Sequence, residues 1–101
     1  MAKIWRHGDV LIGAVDDVPA GARPLSHVIL ARGEVTGHSH RIAERGAAQL
    51  YEINGLLYLD VVAALATLIH EEHGPITLPQ GRYRVWIQRE YAPGEIRRVY
   101  D

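Results

Sequence analysis

Six histidines stand in a chain of 101 residues that contains no cysteine, so any metal ion it holds must be taken by nitrogen and oxygen rather than by thiolate. Two of them, in Gly37-His38-Ser39-His40, are spaced i and i+2. On an extended strand that spacing projects both imidazoles to one face, where they can grip a single ion. Glu44 follows four residues after His40 and completes a His-x-His-x-x-x-Glu pattern. A further pair lies in His70-Glu71-Glu72-His73. On a strand, His70 and Glu72 share one face and Glu71 and His73 the other, so only one of these histidines can join His38 and His40 unless a bulge intervenes. We take His70 as that third ligand. Read as a helix, His-Glu-Glu-His is one residue short of the His-Glu-x-x-His of zinc proteases, which argues against a protease. The expected site is therefore His38, His40, His70 and Glu44 around a divalent transition metal such as Zn²⁺, Ni²⁺ or Fe²⁺. His7 and His27 read as structural or surface residues.

Other constellations carry less chemistry. Asp16-Asp17 precedes Val18-Pro19-Ala20-Gly21 and reads as turn chemistry rather than a paired-carboxylate site. Ser26 and Ser39 each neighbour a histidine, but adjacent residues on a strand point to opposite faces, so neither forms a local nucleophile–base pair. The glycines make no phosphate loop. Arg82, Arg84, Arg89, Arg97 and Arg98, with Trp86, Tyr91 and Tyr100, give a basic and aromatic C-terminal quarter. Such a mixture can hold single-stranded nucleic acid, but it is also the composition of subunit contacts, and we read it as the latter. A net charge of −1 supplies no field that would attract nucleic acid or an anionic membrane.

The elements that must position the histidines are short strands. Glycine and proline punctuate the chain at fairly even intervals, and between them lie β-branched and aromatic runs such as His27-Val28-Ile29-Leu30-Ala31 and Gln49-Leu50-Tyr51-Glu52-Ile53. Asn54-Gly55 between two apolar runs predicts a β-hairpin over 49–62 with a type I′ turn. Pro79-Gln80-Gly81 reads as another turn. After it, Tyr83, Val85, Ile87 and Tyr91 alternate with Arg82, Arg84, Trp86 and Gln88, as on a half-buried strand. Asp60 to His73 could form a capped helix, but Thr67-Leu68-Ile69 and the absence of a loop after the hairpin favour strand. The expected fold is all-β: one compact domain over 1–101, a barrel or sandwich of roughly seven to nine short antiparallel strands, with an extended C-terminal tail over 92–101.

Composition is that of a globular domain, 48% hydrophobic and 23% charged. No stretch approaches the roughly 20 apolar residues of a membrane span, and the first residues hold no apolar run of signal-peptide length, so a soluble, cytoplasmic protein is expected.

With Gly33, His38, His40 and Glu44 in order, the chain resembles the cupins, whose first motif is a glycine, His-x-His and a later glutamate; one residue fewer than usual separates Gly33 from His38. Gly74, Pro79 and Gly81 are similar to the start of the second cupin motif. Arg84 and Gln88 stand where that motif has its third histidine and its asparagine. The resemblance implies a small β-barrel with a histidine-held metal, and the arginine departs from it, because a guanidinium does not deprotonate to bind an ion. His70-Glu71-Glu72-His73-Gly74-Pro75 and Gln88-Arg89-Glu90-Tyr91 also look similar to small bacterial proteins of no established activity. Two functional classes follow. One is a binding or accessory module, homo-oligomeric, with a histidine-lined metal site. The other is a cupin-like metal enzyme acting on a small molecule, with His38, His40 and His70 as ligands and Glu44 as ligand or base.

Self-association is expected through the C-terminal strand and tail, where Trp86, Tyr91, Ile96, Val99 and Tyr100 supply apolar surface. Sedimentation of the full chain at low and high salt checks it. An oligomer that persists at high salt is the expected outcome, and a monomer at micromolar concentration contradicts it.

Overall fold

The computed structural model describes residues 3–33 and 37–88. The expected tail over 92–101, and with it Tyr91, lies outside them. Eight strands follow in chain order: β1 (Ile4–His7), β2 (Val10–Val15), β3 (Arg23–Pro24), β4 (Ile29–Arg32), β5 (Ser39–Ile42), β6 (Ala48–Ile53), β7 (Leu56–Ile69) and β8 (Ile76–Ile87). All pairings are antiparallel and belong to one sheet, ordered β1-β2-β8-β7-β5-β4, with β6 on β7 and β3 on β6. The all-β expectation holds. The barrel does not, because the sheet is not closed: its path runs from β1 to β4 without a pairing between them.

The 49–62 hairpin is present as read. Asn54 and Gly55 sit at φ 53° and 80°, the two left-handed residues a type I′ turn needs, and the flanking strands pair from Ile53↔Leu56 to Ala48↔Val61. The stretch from Asp60 is strand as far as Ile69, so the helix is ruled out there.

β7 and β8 pair along most of their length, but their register shifts between Val61↔Gly81 and Leu65↔Pro79. Pro79-Gln80-Gly81 is therefore not a turn before a strand; it lies inside β8, opposite the break. A proline is tolerated there because a bulge does not require its missing N–H. Gln80 donates its side-chain amide to the Val62 carbonyl in the gap. The burial pattern records the same event. Buried positions on β7 are 59 and 61 before the break and 66 and 68 after it, and on β8 they are 78 before and 83 and 85 after, so the inward parity changes on both strands. A bulge bends the strands that carry it. Here the bend turns one sheet back over itself, and a single core cluster draws on both arms: Val10, Ile12, Leu59, Tyr83 and Val85 from one, Leu30, Ile42, Ala66, Leu68 and Leu78 from the other.

Leu59 is fully buried in that core, whereas Leu65 at the break is 47% exposed. Leu59→Ala is expected to lower stability by about 2–5 kcal/mol and Leu65→Ala by about 0.5 kcal/mol or less, measured by urea unfolding.

Candidate metal centre

The bend brings three chain segments to one place: the β1–β2 turn, the start of β5 and the β7–β8 connection. The turn is the two residues Gly8-Asp9 between the paired His7 and Val10. Gly8 has φ +65°, as the first central residue of a type II′ turn requires. It also lies under two imidazoles. A Cβ at Gly8 would stand 2.6 Å from His73 Nε2 and 3.1 Å from His40 Cε1, so no side chain fits there without moving His73.

β5 supplies His40, which pairs with Ala31 of β4, while Arg41 and Ile42 pair with Ile69 and Leu68 at the end of β7. The strand is fastened further by Glu44. Its carboxylate accepts from the Thr67 amide at 2.7 Å and the Thr67 hydroxyl at 2.5 Å, and those bonds, the hydroxyl first, hold the carboxyl below its ordinary range. Beyond Ile69 the chain leaves the sheet. The reading that only one of His70 and His73 could face the site assumed strand alternation through residue 73; in the loop that alternation does not apply, and both rings turn inward.

His40, His70 and His73 each offer a ring nitrogen within 4.8 Å of the others. Nitrogens on one tetrahedral Zn²⁺ are roughly 3.4 Å apart, given Zn–N bonds of about 2.0–2.1 Å, so closure by at most roughly 1.4 Å would complete a three-nitrogen site. A second group, His38, His70 and Glu71, shares His70 and lies nearer the surface. Its carboxylate is already engaged: Glu71 accepts from the Ser39 amide at 3.0 Å and from Arg41 Nη1 at 2.9 Å, and the Arg41 cation opposes a metal there. His38 precedes β5 and has Glu72 Oε2 at 3.7 Å from its Nδ1.

Of the residues expected from the sequence, the fold thus places His40 and His70 together and sets His38 beside His70 in the outer group. Glu44 is bound to Thr67 and belongs to neither group. Arg84, at the position of the cupin third histidine, pairs with Gly13 and Tyr58 and lies over Trp86. Two residues the sequence reading passed over are in the cluster. His73 completes the inner group. His7, at 2% exposure, packs its ring edge-on to His40 with centroids 4.9 Å apart. Nothing in the spacing of His7 signals this, because it lies 33 residues from His40. His27 stays apart and exposed, accepting from the Ile29 amide.

His40 is 4% exposed, and its pKa is lowered from 6.5 to about 4, first by burial and then by the neighbouring His70 and His7 rings. It is therefore a neutral imidazole near pH 7, the state that binds metal. His70 is differently disposed. Its Nδ1 accepts from the Glu72 amide at 2.9 Å, so in the singly protonated ring Nε2 carries the hydrogen. Ligation through either nitrogen of His70 would open that amide contact and so would require a local rearrangement at Glu72.

Residues 6–88 match a family described as a domain of unknown function (DUF8820), and the match carries no cupin assignment. No curated protein and no solved structure matches the chain.

The depressed pKa of His40 has a definite consequence for stability. Below pH 6.5 the unfolded chain binds a proton that the folded chain refuses down to about pH 4. The metal-free protein is therefore expected to lose roughly 3 kcal/mol between those limits on account of His40. The lowered Glu44 and Glu71 carboxyls weaken the fold only as the pH falls below their ordinary 4.5, a separate window. Urea unfolding of wild type and His40→Asn across the range from pH 7 to about 4.5 tests this, with a flatter profile expected for the variant.

Proposed function

The chain belongs to the DUF8820 family, whose description assigns no activity, and from the histidine geometry we propose that it is a metal-binding β module. It holds one divalent transition ion through His40, His70 and His73. The observation that carries this reading is the convergence of three imidazole nitrogens within 4.8 Å at a half-buried place. Burial and the neighbouring His70 and His7 rings oppose protonation at His40, and a ligand that binds the neutral ring is favoured there. A borderline cation such as Zn²⁺, Ni²⁺ or Fe²⁺ does so, since imidazole suits these ions. His38 stands at the rim as an outer donor, and Glu44 fastens β5 rather than ligating.

A binding or accessory role is favoured over an enzyme. Among the described residues, cavities of about 400, 410 and 250 Å³ are lined by residues such as Leu25 and Ile42, Asp60 and Arg82, and Leu30 and Trp86, and no histidine of the cluster lines these three. Substrate pockets usually place their few polar groups together with the reactive centre.

Protein purified without a polyhistidine tag is expected to carry or take up one Zn²⁺ or Ni²⁺ per chain, measured by elemental analysis after dialysis. Saturating metal should raise the unfolding temperature. His40→Ala with His73→Ala abolishes the uptake, and Glu44→Gln leaves it in place. Uptake unchanged in the double variant, or absent from the wild type, contradicts the proposal.

A further inference from the structure

The buried His7 ring makes two hydrogen bonds at opposite nitrogens: Nε2 lies 2.9 Å from the Gly74 carbonyl oxygen and Nδ1 lies 2.9 Å from His40 Nδ1. A carbonyl only accepts, so His7 Nε2 carries a hydrogen and donates it. In the singly protonated ring that donation leaves His7 Nδ1 with its lone pair. His40 must then be the donor across the second contact. Its hydrogen sits on Nδ1, and its lone pair sits on Nε2. The order of donation therefore runs from His40 Nδ1–H to His7 Nδ1, and from His7 Nε2–H to the Gly74 carbonyl.

Both ends of this relay adjoin the candidate metal group. His40 is one ligand, and Gly74 directly follows another, His73, on the loop between β7 and β8. The ring of His73 in turn packs against the backbone of Gly8, the residue after His7. Three consecutive residues of the β1–β2 hairpin so bear on the site: His7 through its hydrogen bonds, Gly8 through the space it leaves, and Asp9 with a carboxylate oxygen 3.8 Å from His40 Nε2. Ligating histidines commonly donate their second ring N–H to a fixed acceptor, which sets tautomer and orientation. Here the acceptor is another imidazole, itself anchored to backbone.

We propose that His7 is a positioning residue of the metal centre: it holds His40 in the tautomer that presents Nε2 to the ion and ties the loop carrying His73 to the β1–β2 hairpin. The proposal rests on the metal-binding reading above and adds to it a residue outside the ligand set.

The test compares full-length wild type, His7→Leu and His7→Gln. Leucine fills similar volume but can neither accept nor donate; glutamine can accept from His40 with its carbonyl and donate to Gly74 with its amide. In the metal-free wild type, nitrogen-15 NMR of the imidazoles is expected to place the His40 hydrogen on Nδ1. Zn²⁺ affinity, measured by chelator competition, is expected to fall about 10–100-fold in His7→Leu, the usual cost of losing such a partner, and to stay within a few-fold of wild type in His7→Gln. His40 protonated at Nε2 in the wild type overturns the relay without reference to metal. So does a folded His7→Leu that binds Zn²⁺ with wild-type affinity, or, where leucine prevents folding, a folded His7→Gln that has lost the affinity. A wild type with the expected tautomer that takes up no Zn²⁺ overturns the metal reading instead.

Discussion

The register break between β7 and β8 is the constraint on which the rest of the molecule depends. Two strands of 14 and 12 residues, paired without interruption, would extend as a ribbon with one face bare to water. Such a ribbon cannot enclose a core. By placing extra residues on β7 between Val61 and Leu65, against Pro79-Gln80-Gly81 of β8, the chain bends the ribbon and reverses the parity of its inward positions. The two arms then face each other across Leu59, Leu68, Leu78 and Val85. The same bend explains how the β1–β2 turn, joined to the sheet through the far half of β8, meets the loop that leaves the near half of β7. His7 and Gly74, hydrogen-bonded across 67 residues of chain, mark where the arms close.

Around that closure the charged groups act as fasteners. Glu44 extends the β5–β7 pairing past Ile42↔Leu68 by accepting both hydrogens of Thr67. Glu71 ties the loop to β5 through the Ser39 amide and Arg41. With both carboxylates spent on hydrogen bonds, imidazole nitrogens are the donors that the inner group supplies. Burial keeps His40 neutral, the state in which an imidazole can ligate.

The order of residues shared with the cupins and the arrangement in space diverge at identifiable points. Gly33 and His38 do sit together, with the Gly33 amide donating to the His38 carbonyl. His38 and His40, however, fall into different groups, because only His40 lies within β5. The third histidine comes from the loop after β7 at position 73, earlier in the chain than Arg84. Motif order along a chain constrains which residues could meet, but the register of the strands decides which do.

Much was legible without the fold. The Asn54-Gly55 turn, the strand character of 56–69 and the alternation of Tyr83 and Val85 against Arg82 and Arg84 follow from local rules of backbone preference and period-two burial, and those rules act over a few residues. The absence of cysteine and the clustering of histidines at 38–40 and 70–73 likewise narrowed the donor set to imidazole and carboxylate. What the sequence could not determine was where strand alternation stops. Proline and glycine at 79–81 have the same local signature in a turn and in a bulge, and only the pairing partner distinguishes them. Once the strand ends at Ile69, His70 and His73 are freed from opposite faces, and His7, unremarkable in its own neighbourhood, becomes the partner of His40. Those relations are set by long-range pairing and burial, quantities that belong to the folded chain as a whole and to no segment of it.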